Sequence, residues 1–119
     1  MENMLYNDLI RRGYSVDVGV VELDRVVEGK RQQSQYEIDF VVSTGQGKVY
    51  IQSALNVDTP EKKAQETFSL RNTGDFYRKV VVLDGSRKLW TDEDGVMYVG
   101  VIPFLLDDLA DRIIMEKKG

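Results

Sequence analysis

The stretch Tyr36-Glu37-Ile38-Asp39-Phe40-Val41-Val42 decides the fold, together with Val49-Tyr50-Ile51-Gln52-Ser53-Ala54, which follows it closely. Polar and apolar residues alternate over much of both runs, and this period predicts two β-strands. The connection between them, residues 43–48, is rich in glycine and has the length of a hairpin loop. The sequence therefore predicts a β-hairpin whose strands cover residues 34–43 and 48–55.

Polar side chains interrupt the two predicted strands. Asp39 lies between two large apolar residues, and Glu37, two positions earlier, lies on the same face of the strand. Gln52 and Ala54 are also two positions apart and share a face of the second strand. A lone carboxylate within an apolar strand indicates a binding site or, alternatively, a structural acid that accepts hydrogen bonds from the backbone or from Gln52.

The rest of the chain alternates between helical and extended patterns. Leu5 and Leu9 mark the buried side of a first helix, and Asp58 or Thr59 can cap a second helix that begins at Pro60. In chain order, the predicted elements are a helix at 2–12, a strand at 14–27, a polar connection at 28–33, the hairpin, a helix at 60–72, strands at 79–83, 89–91 and 96–101, and a helix at 102–115. Three meandering strands, a helical crossover and a further strand predict an α/β fold with a mixed central sheet flanked by helices.

Composition narrows the chemistry that the chain can perform. Its 119 residues are typical of one domain, and they carry a net charge of −4 that disfavours tight nonspecific binding of a polyanion. The chain has no cysteine and no histidine, which excludes histidine-based catalytic triads and zinc sites built on histidine or thiolate. A metal here would be a hard cation such as Mg²⁺ or Mn²⁺, bound by oxygen atoms.

The sequence also bears on location. It contains neither an apolar run of the roughly 18 residues that a membrane span needs nor a recognisable signal peptide. The lack of cysteine agrees with a reducing compartment. We therefore predict a cytoplasmic protein without a membrane partner.

Five segments carry a resemblance to a known family. They are Glu2-Asn3-Met4-Leu5-Tyr6-Asn7-Asp8-Leu9-Ile10-Arg11-Arg12-Gly13-Tyr14, Glu37-Ile38-Asp39-Phe40-Val41, Val49-Tyr50-Ile51-Gln52-Ser53-Ala54, Phe76-Tyr77-Arg78-Lys79-Val80-Val81-Val82 and Gly100-Val101-Ile102-Pro103-Phe104-Leu105-Leu106. In order and spacing they resemble the restriction-endonuclease-like, or PD-(D/E)XK, superfamily. More narrowly, the chain resembles the C-terminal domain of a large prokaryotic family of AAA-type ATPases of unknown function. The resemblance covers nearly the whole chain.

The resemblance implies a particular domain organisation. Residues 1–119 would form a single restriction-endonuclease-like domain, taken from the C-terminus of a longer ATPase. The N-terminal ATPase domain of the parent chain would then be its first partner. These residues contain no glycine-rich phosphate loop followed by Lys-Ser or Lys-Thr, so this part of the chain is not expected to bind or hydrolyse ATP.

The resemblance also implies a role for individual residues. Active members of the superfamily place a helix glutamate, an aspartate and a Glu-x-Lys pair around one or two magnesium ions. Glu2 matches the helix glutamate and Asp39 the aspartate, while Glu37 is a further candidate metal ligand on the Asp39 strand face. Gln52 stands at the position of the strand acid and Ala54 at that of the lysine. Because alanine supplies neither charge nor proton, the implied site is degenerate, with Mg²⁺ or Mn²⁺ as cofactor only if it is active.

Basic residues offer two interpretations. Lys48, Lys62 and Lys63 are candidates to replace the missing lysine and to contact nucleic acid, but they are equally typical of a solvated surface. The polar connection and the end of the strand before it add three cations that could touch phosphate or serve solubility: Arg25, Lys30 and Arg31.

Three hypotheses for function remain open. The favoured one is a catalytically degenerate nuclease-fold domain that acts as a recognition or regulatory module, for DNA or protein, of an AAA-type ATPase. The second is an active Mg-dependent deoxyribonuclease whose lysine has migrated. The third is a protein-interaction or oligomerisation module that uses apolar residues of the last helix: Phe104, Leu105, Ile113 and Ile114.

Overall fold

The computed structural model describes residues 1–106 and 108–115 of the chain. The helices are α1 (Glu2–Arg11), α2 (Pro60–Arg71), α3 (Val101–Leu105) and α4 (Leu109–Met115). The strands are β1 (Ser15–Val27), β2 (Lys30–Thr44), β3 (Gly47–Ala54), β4 (Arg78–Leu83), β5 (Trp90–Thr91) and β6 (Met97–Gly100). Within the described ranges, no helix combines the length and apolar character needed to cross a membrane.

The strands form one mixed sheet in the order β1-β2-β3-β4-β6-β5. β1, β2 and β3 form an antiparallel meander, whereas β4 lies parallel to β3 and β6 lies parallel to β4. A parallel step from β3 to β4 requires a crossover, and α2 supplies it. The predicted α/β fold is confirmed, with its three-strand meander, helical crossover and parallel strand.

Helices cover both faces of the sheet. On one face, α1, α3 and α4 bury a cluster that includes Leu5, Phe104 and Ile113, and we call this side the α1 face. On the other side, the α2 face, Leu70 of α2 packs in a cluster that includes Tyr98. The interior of β4 is buried on both faces, as its unbroken apolar sequence predicts.

β1 and β2 continue outward as a two-stranded ribbon. Their pairing reaches Val27 and Lys30, and the turn between them is Glu28-Gly29, with φ of 52° and 75°. Positive φ at both central residues is the requirement for a type I′ hairpin turn. The prediction of a polar connection at 28–33 is therefore wrong, because β2 already begins at Lys30. Both faces of the ribbon are exposed here, so its sequence lacks the apolar alternation that reveals a strand.

The last helical segment is two helices, so the prediction of one helix over 102–115 is wrong. α3 ends at Leu105, and the next residue, Leu106, has an extended ψ of 146°. α4 then begins at Leu109, and Asp107, between the two helices, lies outside the described residues. The break allows both short helices to contribute to the same apolar cluster.

The apolar residues of the last helical segment that were named for an interaction module are largely buried. Phe104, Ile113 and Ile114 are only 0%, 2% and 5% exposed and belong to the α1-face core. Leu105 packs partly against the same core. These residues stabilise the fold, and the structure contradicts an interface built on them.

Candidate acidic site where strands β2 and β3 separate

The pairing between β2 and β3 ends within the hairpin, at Phe40 and Ile51. Beyond this pair, side chains take the place of backbone partners. The amide of Asp39 donates to Oε1 of Gln52 at 2.9 Å. The amide and the hydroxyl of Ser53 each donate to Oδ2 of Asp39 at 2.8 Å. The two strands therefore separate around Asp39, which three hydrogen bonds hold in place.

A β-bulge in β2 sets the direction of Asp39. The register between β1 and β2 shifts at this point, so that Val18 of β1 faces two residues of β2, Asp39 and Phe40. The next residue of β1, Gly19, lies so close to β2 that a Cβ atom there would be 2.7 Å from Cγ2 of Val41. The bulge places Phe40 in the α1-face core and leaves Asp39 beside the start of α1.

Glu2, the first residue of α1, meets Asp39 at this position. A hydrogen bond with Asp39 and the negative charge of Asp39 raise the pKa of Glu2, and the charge of Glu37 adds to the increase. Two carboxyl groups in contact are not readily ionised together, so such a pair shares a proton or binds a cation. The structure thus brings together the three acids that the sequence singled out, with Glu2 and Asp39 in direct contact.

These acids do not form a typical metal-binding cluster. Among residues 1–106 and 108–115, no three acidic, histidine or cysteine side chains are arranged to hold a metal ion. Oδ2 of Asp39 already accepts two hydrogen bonds from Ser53, and the side-chain oxygen of Gln52 accepts one from the Asp39 amide. In this arrangement, the residues present do not fit the ligand set of Mg²⁺ or Mn²⁺.

Ser53 is the β3 residue whose side chain contacts the Asp39 carboxylate. Tyr50 and Ala54 belong to the α2-face core, and Gln52 alternates with them, which assigns Gln52 to that face. Ser53 alternates to the α1 face, where Asp39 lies. Ala54, the position at which the resemblance expects a lysine, is 6% exposed in the α2-face core. Sequence reasoning missed Ser53 because the face of each residue depends on the register and on the bulge.

The three candidate lysines lie away from the acidic site. Lys62 pairs with Glu66 at 3.3 Å, and Lys63 pairs with Asp92 at 3.4 Å. Lys48 is the second residue of β3 and lies at the turn of the hairpin, opposite to the end that carries the acids. The structure therefore does not bring these lysines to the carboxylate that they were expected to serve.

A second carboxylate centre, which sequence reasoning missed, lies on the α2 face. The side chain of Asp92 is 3% exposed and accepts hydrogen bonds from the Tyr98 hydroxyl at 2.7 Å and from Arg71 at 2.8 Å. Burial by itself raises the pKa of Asp92, but these hydrogen bonds outweigh burial and lower the pKa to about 2. In the sequence, the only sign of this centre is the charged turn around Asp92. A charged turn does not show that Arg71 of α2 pairs with Asp92.

The chain has a distant similarity to a bacterial protein. The chain is 32% identical over 106 residues to an uncharacterized protein of Haemophilus influenzae (strain ATCC 51907 / DSM 11121 / KW20 / Rd). The match covers 89% of this chain and 22% of that protein, so the chain spans about a fifth of the relative's length. No family model matches the chain. No solved structure matches it either.

Proposed function

We propose that this domain is a restriction-endonuclease-like module that has lost nuclease activity and serves as a recognition or regulatory part of a longer ATPase. The observation that carries the proposal is the environment of Asp39. Ser53 and the acid Glu2 contact its carboxylate, and the candidate lysines Lys62 and Lys63 pair with Glu66 and Asp92 instead.

The order of the elements supports the nuclease-like assignment. A helix precedes three antiparallel strands, a helical crossover follows, and the next strand runs parallel to the third. The acid on the second strand, Asp39, meets the glutamate at the start of the first helix, Glu2. This contact agrees with the positions that the resemblance assigns to the two residues.

The chemistry of the site supports loss of activity. Metal-dependent phosphodiester hydrolysis needs carboxylates that hold the metal, and a cation that positions water or stabilises developing charge. Here the two acids contact each other, and the Asp39 carboxylate accepts hydrogen bonds from Ser53. Ala54, where the resemblance expects the lysine, is buried in the α2-face core, on the opposite face of the sheet from Asp39. The acids therefore act as a structural link between α1 and the hairpin.

The small share of the relative's length that this chain matches supports a longer parent chain. The matched segment is 22% of the Haemophilus influenzae protein, which leaves room for other domains in a chain of that kind. Together with the resemblance to ATPase C-terminal domains, this supports a module that works beside an N-terminal ATPase domain. Its role there would be to recognise a target or to regulate the ATPase.

Metal binding and DNA cleavage test the proposal together. Mg²⁺ and Mn²⁺ are titrated calorimetrically into wild type, Asp39→Ala and Asp58→Ala, the last being an exposed carboxylate control. Plasmid and branched DNA are incubated with the same proteins and metals. We expect no cleavage and no metal-binding heat that depends on Asp39. Cleavage by wild type that is abolished in Asp39→Ala but kept in Asp58→Ala would contradict the proposal and establish an active nuclease.

A further inference from the structure

The ribbon formed by β1 and β2 ends in an exposed arm, residues 24–33. Every residue of the arm is exposed, whereas Tyr36, nearer the core, stacks edge-on against Phe68 of α2 with ring centroids 4.8 Å apart. The molecule is correspondingly elongated, with extents of 52, 33 and 31 Å. The arm buries little and so contributes little to the core, which indicates that its sequence serves another purpose.

The two faces of the arm differ in charge. Residues directly opposite each other across the ribbon share a face, so Arg25 lies with Gln32, and Val27 lies with Lys30. By alternation, this is the face that continues the α2 face of the sheet. Along the paired strands of the arm, the charged side chains of this face are two cations, Arg25 and Lys30, and Arg25 donates to the Tyr36 hydroxyl at 3.3 Å. The acid Glu28 lies in the turn at the tip of the arm.

The opposite face of the arm is neutralised internally. Asp24 pairs with Gln33 across the ribbon, and Val26 pairs with Arg31. Arg31 donates to Oδ2 of Asp24 at 2.6 Å, so the one cation and the one acid of this face form an ion pair. With Glu28 in the turn, the arm carries three cations and two acids, a net charge of +1, whereas the whole chain has a net charge of −4. The cations outside the Arg31–Asp24 ion pair, Arg25 and Lys30, lie on the face that continues the α2 face, so the positive charge of the arm is concentrated there.

The dimensions and side chains of the arm fit the major groove of duplex DNA. Two paired strands lie about 4.8 Å apart, and the major groove is about 12 Å wide and 8.5 Å deep, which admits a two-stranded ribbon. Arginine and lysine bind phosphate oxygens, and a glutamine amide can read the edge of a base. The arm has no aromatic residue or methionine to anchor a protein partner.

We infer that the arm is a DNA-binding ribbon, with Arg25 and Lys30 on phosphates and Gln32 directed to base edges in the major groove of a duplex. The inference rests on the proposed recognition role and names duplex DNA as the target. It uses none of the residues of the acidic site, so DNA binding by the arm needs no metal. Of the two interpretations that the sequence left open for Arg25 and Lys30, phosphate contact or solubility, it takes the first.

Fluorescence anisotropy with a labelled duplex, in EDTA and over a series of KCl concentrations, tests the inference. The arm variant Arg25→Glu/Lys30→Glu is compared with Lys88→Glu/Arg112→Glu, which changes the net charge equally at exposed positions elsewhere. We expect the arm variant to bind at least about tenfold more weakly than the control and its log–log salt slope to fall by about 1.8, the value for two lost phosphate contacts. Gln32→Ala should keep the slope and reduce discrimination between duplex sequences. Thermal melting of each variant establishes that it is folded.

The outcomes separate this inference from the proposed function. Equal weakening in the arm and control variants, or no duplex binding by wild type at low salt, would overturn the arm inference and leave the loss of nuclease activity standing. Conversely, Asp39-dependent cleavage would overturn the proposed function, while a selective effect of the arm variant would still support the arm.

Discussion

Two aspartates of this molecule occupy opposite electrostatic environments. Asp39 on the α1 face contacts another acid, Glu2, whose pKa is raised as a result. Asp92 on the α2 face contacts Arg71, Lys63 and the Tyr98 hydroxyl, and its pKa is lowered to about 2. The comparison shows that two cations of α2, Lys63 and Arg71, pair with Asp92, whereas the partners of Asp39 are the neutral Ser53 and the acid Glu2.

Lys63 is a cation that pairs with Asp92 and does not serve the acidic site. In the sequence it is a candidate to replace the lysine of a nuclease site. In the structure its ammonium group lies 3.4 Å from Asp92 and 5.5 Å from the centre of the Tyr98 ring, where it helps to hold α2 against β6. Because Lys63 stabilises the fold through Asp92, it is not available to the acidic site.

Removing the second centre should have the largest effect. Asp92→Ala removes the acceptor of the Tyr98 hydroxyl and one of the two carboxylates that pair with Arg71, at a position whose side chain is 3% exposed, and we expect a loss of about 3 kcal/mol in the free energy of unfolding. Asp94→Ala is the matched control, because Asp94 also pairs with Arg71 but is 60% exposed, and it should cost less than about 1 kcal/mol. Urea unfolding measures both. Similar losses in the two variants would show that burial does not distinguish the two ion pairs.

Lowering the pH should reduce the free energy of unfolding by protonating Asp92. The pKa of Asp92 is about 2 in the folded protein and 3.8 in the reference state. Its contribution is therefore complete above pH 4 and lost as the pH falls from about 4 to 2, and it amounts to roughly 2 kcal/mol. Urea unfolding of wild type and Asp92→Asn over this pH range measures it. A wild-type pH profile that runs parallel to that of Asp92→Asn would contradict the assignment.

A smaller loss is expected at the acidic site. Asp39→Ala removes the acceptor for the Ser53 amide and hydroxyl, and we expect a cost of about 1–2 kcal/mol. Asp39→Asn keeps an acceptor oxygen and removes the repulsion with Glu2, so its cost should be lower. If Asn destabilised the protein as much as Ala does, the negative charge of Asp39 would have to be stabilising, and the comparison with Asp92 would fail.

The smallest effect concerns Glu2 and has the opposite pH dependence. Because its pKa is raised in the folded state, the folded protein holds this proton more tightly, and stability declines slightly as rising pH removes it. Carboxyl NMR titration should show the pKa of Glu2 falling towards its ordinary value in Asp39→Asn. An unchanged Glu2 titration in that variant would mean that Asp39 is not the cause. In Glu2→Gln, the decline in stability should disappear.

The architecture could largely be predicted because its elements have clear periods. The alternation before and after the glycine-rich turn identifies the hairpin, and Pro60 with its preceding cap residue identifies the start of α2. A helix between two extended segments then predicts the parallel pairing of β3 with β4. The ribbon was not predicted because both of its faces are exposed. Strands of this kind need not alternate polar and apolar residues.

Of the acidic site, only the acids themselves could be predicted from the sequence. Asp39 was visible because a carboxylate inside an apolar strand needs an explanation, and its position relative to Glu2 followed from the resemblance. The role of Ser53 was not visible, because strand alternation assumes an unbroken ladder and the bulge at Asp39 and Phe40 breaks it. The partners of Asp92 come from α2 and β6, and such contacts between distant segments have no local signature.

The length of the arm can vary independently of the rest of the fold. Its residues lie outside both core layers, and its type I′ turn depends only on Glu28-Gly29. Inserting or deleting two residues in each strand would move the turn by about 7 Å and keep every remaining side chain on its original face. The length of the ribbon can therefore change in steps of this size while the packing of the sheet against its helices stays the same.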